Sequence, residues 1–281
     1  MSMKNRHVLG EAVRHLILII LALYTLAPLL FLFVNAFKSN NEIIASPVAL
    51  PEHWTLQYIK TAMEAINFGK ALGLTFIITF FSILLLVIVS SFAAWAMVRS
   101  KTILSNIVFL CFTAAMLVPF QSLMYPLLSV FEKMGLKNVQ GLILMYGGFG
   151  LSMSVFLYHG FIKSVPASLE EAAVLDGANL FQMFFKVVFP LLKGTTVTVI
   201  VLNGMWIWND YLLPFLVIGN SNGVKTLTLE LYFAKLTSGQ YGNPWELIFP
   251  AVLVTIIPIV ILYIFLQKYI VAGVAEGAVK M

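Results

Sequence analysis

The sequence is poor in the residues that soluble chemistry uses most. It holds one cysteine, Cys111, and four histidines in 281 residues. A single thiol excludes an intrachain disulfide framework, and no C-x-x-C or comparable spacing offers a structural metal site. Charge is equally scarce: Asp, Glu, Lys and Arg make up 10% of the chain, against about 25% in soluble domains. Nothing supports a Ser–His–Asp triad, a paired-carboxylate site or a redox centre, so no catalytic residue is assigned. The phosphate-cradling pattern G-x-x-x-x-G-K-[ST] is also missing, since neither FGK nor LKGTT has a glycine at the required distance. No basic cluster with interleaved aromatics occurs, which argues against nucleic acid as a partner. Internal repeats and low-complexity segments are absent as well, and the chain reads as one domain, 1–281.

What is present is apolar length. The chain is 60% hydrophobic, with a mean hydropathy of +0.96. Runs near the roughly 20 residues needed to cross a bilayer lie at about Leu16–Phe37, Ala71–Val98, Ile103–Tyr125, Val139–Ile162, Thr195–Leu216 and Leu247–Leu266. Soluble helices seldom run this long without charge, so the sequence predicts an all-α integral membrane protein of about six transmembrane helices. Four of the runs contain proline, at Pro28, Pro119, Pro214, Pro250 and Pro258, where kinks are expected. The basic N-terminus MSMKNRHVLGEAVRH precedes a run too long for a signal h-region, with no clear A-x-A site, and reads as an uncleaved first span.

The net charge of +5 follows from topology. With the N-terminus inside, ten Lys and Arg fall on the inner side and seven on the outer, and all three Arg are inner. That sign fits the positive-inside rule and puts both termini in the cytoplasm. On the outer side, SPVALPEHWTLQYIKTAMEA is broken by Pro47 and Pro51 and is expected to end in a short surface helix. GNSNG and GQYGNP mark turns in the third outer loop. On the inner side, RSKT is a tight turn, whereas 163–194 is long and structured.

That inner segment contains SLEEAAVLDGANLFQMFFKVVFP, with Glu170, Glu171 and Asp176 close together. Ser168 followed by Glu171 predicts a capping box, and both glutamates sit where a helix dipole favours anions. Gly177 is expected to end the helix in the left-handed conformation. A second helix is expected over 179–188, with Leu180, Phe181, Phe184, Phe185 and Val188 on one face and Asn179, Gln182 and Lys186 on another. Pro190 is expected to stop it. The product is a helix–turn–helix finger. Lipid-surface helices favour Lys and Arg against an anionic leaflet, so its acidic residues point to a protein partner.

EEAAVLDGANLFQMFFKVVFP resembles the EAA loop of ABC-importer membrane subunits. Glu171, Ala172 and Ala173, then Gly177, then Pro190 stand at that family's spacing. SLEEAAVLDGA is similar to the carbohydrate branch, that of the maltose-transporter inner-membrane subunits. WTLQYI, GLKNVQGLIL, WIWNDYLLPFLV and the ending QKYIVAGVAEGAVKM carry the likeness along nearly the whole chain. The chain departs from the pattern at LLKG, where many relatives have a second proline, and at ALGLTF, where relatives often show Asn-Ser. The resemblance implies the type I importer permease fold in a bacterial or archaeal cell membrane. It implies a second homologous permease, two cytoplasmic ATPase subunits that bind ATP and Mg²⁺, and an extracytoplasmic sugar-binding protein. By the same resemblance, Glu170, Glu171, Ala172, Ala173, Asp176, Gly177 and Pro190 couple the membrane subunit to its ATPase. The chain itself would be no enzyme.

A sugar path needs aromatic faces and hydrogen-bonding groups. Asn203, Trp206 and Asp210 are spaced i, i+3 and i+7, with Asn209 beside them, and predict a polar face on the fifth span. Asp210 is the one acidic residue expected at membrane depth, where charges usually face a cavity or a partner. Gln121 and Tyr125 are further candidates, followed by Ser152, Ser154 and Tyr158. Two other readings stay open: an ion-coupled secondary transporter, for which Asp210 alone is thin support, and an ABC permease for a non-sugar solute.

Overall fold

The computed structural model describes residues 3–219, 223, 225–238 and 243–278. Parts of GNSNG and GQYGNP, and the end of the chain, lie outside the described residues. The first half is built from α1 (Met3–Asn35), α2 (Asn40–Ala45), α3 (Gln57–Ala65), α4 (Phe68–Ser100), α5 (Ile103–Ala115) and α6 (Phe120–Lys133). There follow α7 (Val139–Ile162), α8 (Ser168–Leu175), α9 (Leu180–Met183), a π-helical turn at Phe184–Val188 and α10 (Phe189–Leu191). The last four are α11 (Lys193–Asn209), α12 (Leu212–Ile218), α13 (Leu227–Ser238) and α14 (Trp245–Ala278). No strand occurs among the described residues.

Four of these helices, α1, α4, α7 and α14, contain stretches long and apolar enough to cross a membrane. The other two expected spans are broken. The run read as one span over Ile103–Tyr125 is the pair α5 and α6, bent by 106°. Pro119 has no N–H to extend the ladder and disfavours helix at the residue before it, so the chain turns at 116–118 and Pro119 starts α6 instead. The run read as Thr195–Leu216 is also interrupted. Its helix ends at Asn209, Asp210 is extended (ψ 131°), and α12 begins two residues later.

The chain forms two compact units. One comprises 1–68 and 230–257. Here Phe31 of α1 meets Phe249 of α14 edge to face, with centroids 5.7 Å apart. Beyond α1 the loop is held by polar contacts. Asn35 donates to the Pro47 carbonyl (2.9 Å), and the buried Lys38 ammonium donates to the Ser46 carbonyl (3.0 Å). Ser39 and Glu42 form a capping box that starts α2, a helix the sequence reading did not anticipate. The surface helix expected after Pro51 is α3.

The other unit comprises 69–229 and 258–281. Its helices approach closely because small residues lie between them, as membrane packing requires. Gly150 of α7 faces Leu86 of α4 and Asn203 of α11, and a Cβ there would stand 2.5 Å from the Asn203 Oδ1. Gly204 faces Ile83 in the same way. Below this seam a buried core of Val87, Trp95, Tyr158, Ile162, Phe184 and Val188 joins α4 and α7 to the finger.

Candidate functional site

The finger runs from α8 through Gly177 to α10. Its first helix does not start as the sequence predicts. Ala167 is the N-cap, Ser168 is already helical, and no side chain caps the end. The Ala167 carbonyl accepts from the N–H groups of Glu170 and Glu171. The helix therefore begins one residue early, just after Pro166, and the Ser168–Glu171 capping box is not formed. A capping box occurs one helix later instead: Gln182 N–H donates to Asn179 Oδ1 (2.9 Å) and Asn179 N–H to Gln182 Oε1 (3.0 Å).

Between the two arms, Gly177 adopts φ +79°. The Gly177 N–H donates to the Val174 carbonyl and the Ala178 N–H to the Ala173 carbonyl, a paired closure of the helix end that favours glycine at this position. The second arm continues past the proline expected to stop it. Phe189 N–H donates to the Phe184 carbonyl five residues back, through the π turn, and Pro190 sits in α10. A proline ring clashes with the carbonyl four residues earlier, and widening the ladder just before it is one accommodation. The sharp bend comes at Leu192, where Leu180–Leu191 and Lys193–Asn209 meet at 77°.

The seven candidate coupling residues divide by exposure. Glu171, Ala172, Asp176, Gly177 and Pro190 are exposed, whereas Glu170 and Ala173 are buried. Glu170 Oε1 accepts from Arg99 at Nε (2.8 Å) and Nη2 (2.7 Å), and Oε2 accepts from the Trp95 indole N–H (3.1 Å). Arg99 also donates to the Val165 carbonyl (3.0 Å). The apolar face expected on the second arm is split in two. Phe184 and Val188 are fully buried, while Leu180, Phe181 and Phe185 are exposed, as are Val174 and Leu175 on the first arm. The elbow thus presents a small surface of two carboxylates, one alanine and several large apolar side chains.

The polar residues of the fifth span separate. Asn203 is buried and donates to Ser154 Oγ (3.1 Å) and the Val199 carbonyl (2.9 Å). Tyr158 donates to Thr196 (2.9 Å), so these groups tie α7 to α11. Trp206 is partly exposed and meets Tyr146 edge to face at 5.5 Å. Asp210 lies past the helix end, so it shares no helical face with Asn203. Its carboxylate accepts from the Tyr146 hydroxyl (3.0 Å) and the Leu212 N–H (2.9 Å), and its carbonyl accepts from Thr228 (2.8 Å). Asn209 is exposed and donates to its own helix at Met205. Gln121 and Tyr125 are exposed on α6, and Ser152 is half-buried on α7. Tyr146 was not among the sequence candidates. A tyrosine in an apolar run carries no sign of which carboxylate its hydroxyl will reach.

A family model described as "Binding-protein-dependent transport system inner membrane component" matches residues 86–276. A probable starch degradation products transport system permease protein of Thermoanaerobacterium thermosulfurigenes is 43% identical over 262 residues, covering 93% of this chain and 94% of its own. A multiple sugar-binding transport system permease protein of Streptococcus mutans is 34% identical over 281 residues, covering 99% and 100%. A crystal structure of a bacterial ABC transporter involved in the import of the acidic polysaccharide alginate has a chain that superposes with a TM-score of 0.79 at 22% identity, over 96% of this chain and 98% of that one. At that identity the likeness is one of fold.

Proposed function

The chain belongs to the family of binding-protein-dependent transport system inner membrane components, and from that we propose that it is the translocation subunit of an ATP-driven sugar importer. The substrate class rests on the relatives, whose names specify starch degradation products and multiple sugars. An extracytoplasmic binding protein delivers an oligosaccharide. Residues 1–281 act as one transmembrane domain beside a second, homologous permease. Two ATPase subunits bind ATP and Mg²⁺ and supply the energy, and both termini lie in the cytoplasm.

The observation that carries this reading is the elbow of the finger. Glu171, Ala172 and Asp176 are exposed around a left-handed Gly177, and no side-chain hydrogen bond or ion pair to the rest of the chain is found for either carboxylate among the described residues. Flanked by the exposed Leu175, Leu180 and Phe181, they form a surface with an apolar centre and a charged margin, the composition of a protein contact. Ala172 lets a groove wall approach closely. The substrate path runs past Trp206 and Asp210, whose exposed aromatic face and acceptor groups suit a sugar ring.

The test is co-purification followed by transport. The chain is expressed with its candidate second permease and ATPase, solubilised in mild detergent, and compared with Gly177→Pro. The ATPase should follow wild type and be lost from the variant. Reconstituted with the binding protein, the complex should accumulate sugar with ATP and in the absence of a membrane potential. Uptake that needs a potential and no ATPase would establish the ion-coupled reading instead.

A further inference from the structure

Glu170 stands in the acidic group of the finger, yet it faces away from the exposed elbow. Its side chain is turned inward, 8% of the residue is exposed, and both carboxylate oxygens are occupied by donors from the last turns of α4. Those donors belong to a spaced set. Phe92, Trp95 and Arg99 fall at i, i+3 and i+7, on one helical face. Phe92 stacks on Phe184 of the second arm with centroids 3.8 Å apart, and Trp95 packs on the same ring at 5.2 Å. Trp95 and Arg99 hold Glu170 of the first arm, and Arg99 also holds the Val165 carbonyl just before it. The end of α4 therefore grips both arms at once. The guanidinium engages Glu170 through two nitrogens, a geometry that fixes direction as well as distance.

The other end of α4 has a tertiary contact of its own. Thr75 Oγ1 accepts the N–H of Leu227 at 2.9 Å, and the next residue, Thr228, donates to the Asp210 carbonyl. Between Thr75 and Arg99 the helix is continuous and contains no proline. At 1.5 Å per residue that stretch is about 36 Å long. A rigid rod thus connects the finger to the break between α11 and α12.

The geometry points to Glu170 as a positioning residue that locks the finger to α4, so that the two move as one body and displacement of the finger reaches the Thr75–Leu227–Asp210 junction. This rests on the proposed function, in which the finger docks on an ATPase. It separates two neighbouring carboxylates: Glu171 meets the ATPase, and Glu170 connects the finger to the membrane helix. A buried charge left without its partner is strongly unfavourable, so the clamp resists being pulled apart during the stroke.

The experiment uses the full complex in lipid nanodiscs and proteoliposomes. In a Cys111→Ser background, spin labels are placed at Ser100→Cys on α4 and Ser168→Cys on α8, both exposed positions outside the elbow surface. In wild type the label distance should be the same in nucleotide-free and ATP-trapped complexes. In Glu170→Gln it should differ between the two states. Sugar moved per ATP hydrolysed should fall at least roughly fivefold in Glu170→Gln, the low end of typical coupling factors, and recover in part in Glu170→Asp. Glu170→Gln should still bring down the ATPase, whereas Glu171→Gln should release it. The inference is overturned by a wild-type distance that changes with nucleotide, by a Glu170→Gln complex with an unaltered transport ratio, or by one that sheds its ATPase as Glu171→Gln does. If Glu170→Gln does not fold, the wild-type labels decide alone. An ATPase that never associates defeats the proposed function and this inference together. A shifting distance in an ATPase-bound, sugar-importing complex defeats only the inference.

Discussion

The Tyr146 hydroxyl donates to the Asp210 carboxylate across 3.0 Å, joining the middle of α7 to the point where the fifth apolar run breaks. Tyr146 is fully buried, and Trp206 packs against its ring. The carboxylate also receives the Leu212 N–H, an otherwise unpaired donor at the start of α12. One side chain therefore ends α11, starts α12 and anchors both to α7. Tyr146→Phe keeps the ring and deletes the donor. Bonds to charged groups contribute about 1.5–3 kcal/mol, so the variant should unfold at a lower temperature in detergent. An unchanged midpoint in a fluorescence melt would refute this role.

Gly150 predicts a steric limit. A Cβ there meets the Asn203 Oδ1 at 2.5 Å and the Leu86 side chain at 2.7 Å. Overpacking of this kind costs about 1–3 kcal/mol. Gly150→Ala should lower thermal stability, whereas Gly148→Ala, which meets nothing within 4 Å, should not. Equal melting temperatures for the two variants would show that the α4–α7–α11 seam yields.

Gly177 predicts a graded effect on ATPase capture. Its φ of +79° disfavours any side chain, and the left-handed helical region costs L-residues about 1–2 kcal/mol. Gly177→Ala should weaken retention of the ATPase in a pull-down. Gly177→Pro, whose ring requires φ near −65°, should abolish it. Equal capture by wild type and Gly177→Pro would remove the elbow from the coupling surface.

Glu42 predicts an acid-sensitive loop. The Ser39 N–H, the Glu52 N–H and the Ser39 hydroxyl all donate to its carboxylate and hold its pKa below the usual glutamate value. A carboxyl lowered on folding stabilises the native state above its unfolded pKa, and that contribution is lost as pH falls through the native value. Hydrogen exchange at 39–46 should therefore accelerate, beyond its intrinsic pH dependence, as pH drops below the ordinary glutamate range. Glu42→Gln should be less protected at neutral pH and lack the acid step. An acid step of equal size in Glu42→Gln would assign it to another group.

The legibility of this chain follows how local each signal is. Gly177 was readable because a left-handed helix end is decided within a few residues, and the same locality explains the start of α4's exit turn at RSKT. The capping box at Ser168 had the right residues in the right spacing but lost to Pro166, which starts the helix one residue sooner. A four-residue motif contains no information about such competition. Glu170 was grouped with Glu171 because they are adjacent. On a helix adjacent residues point about 100° apart, and only the position of Arg99, 71 residues earlier, determines which of them turns inward.

The apolar runs, the finger and its glycine elbow were determined by sequence alone, because a bilayer and a helix end impose requirements on consecutive residues. The break at Asp210, the pairing of Tyr146 with Asp210, and the clamp of Phe92, Trp95 and Arg99 on the finger were decided only by tertiary structure. Each depends on where a distant helix presents a donor, an acceptor or a ring. Hydropathy and spacing record how far a residue is along the chain, and these contacts depend on how far it is through space.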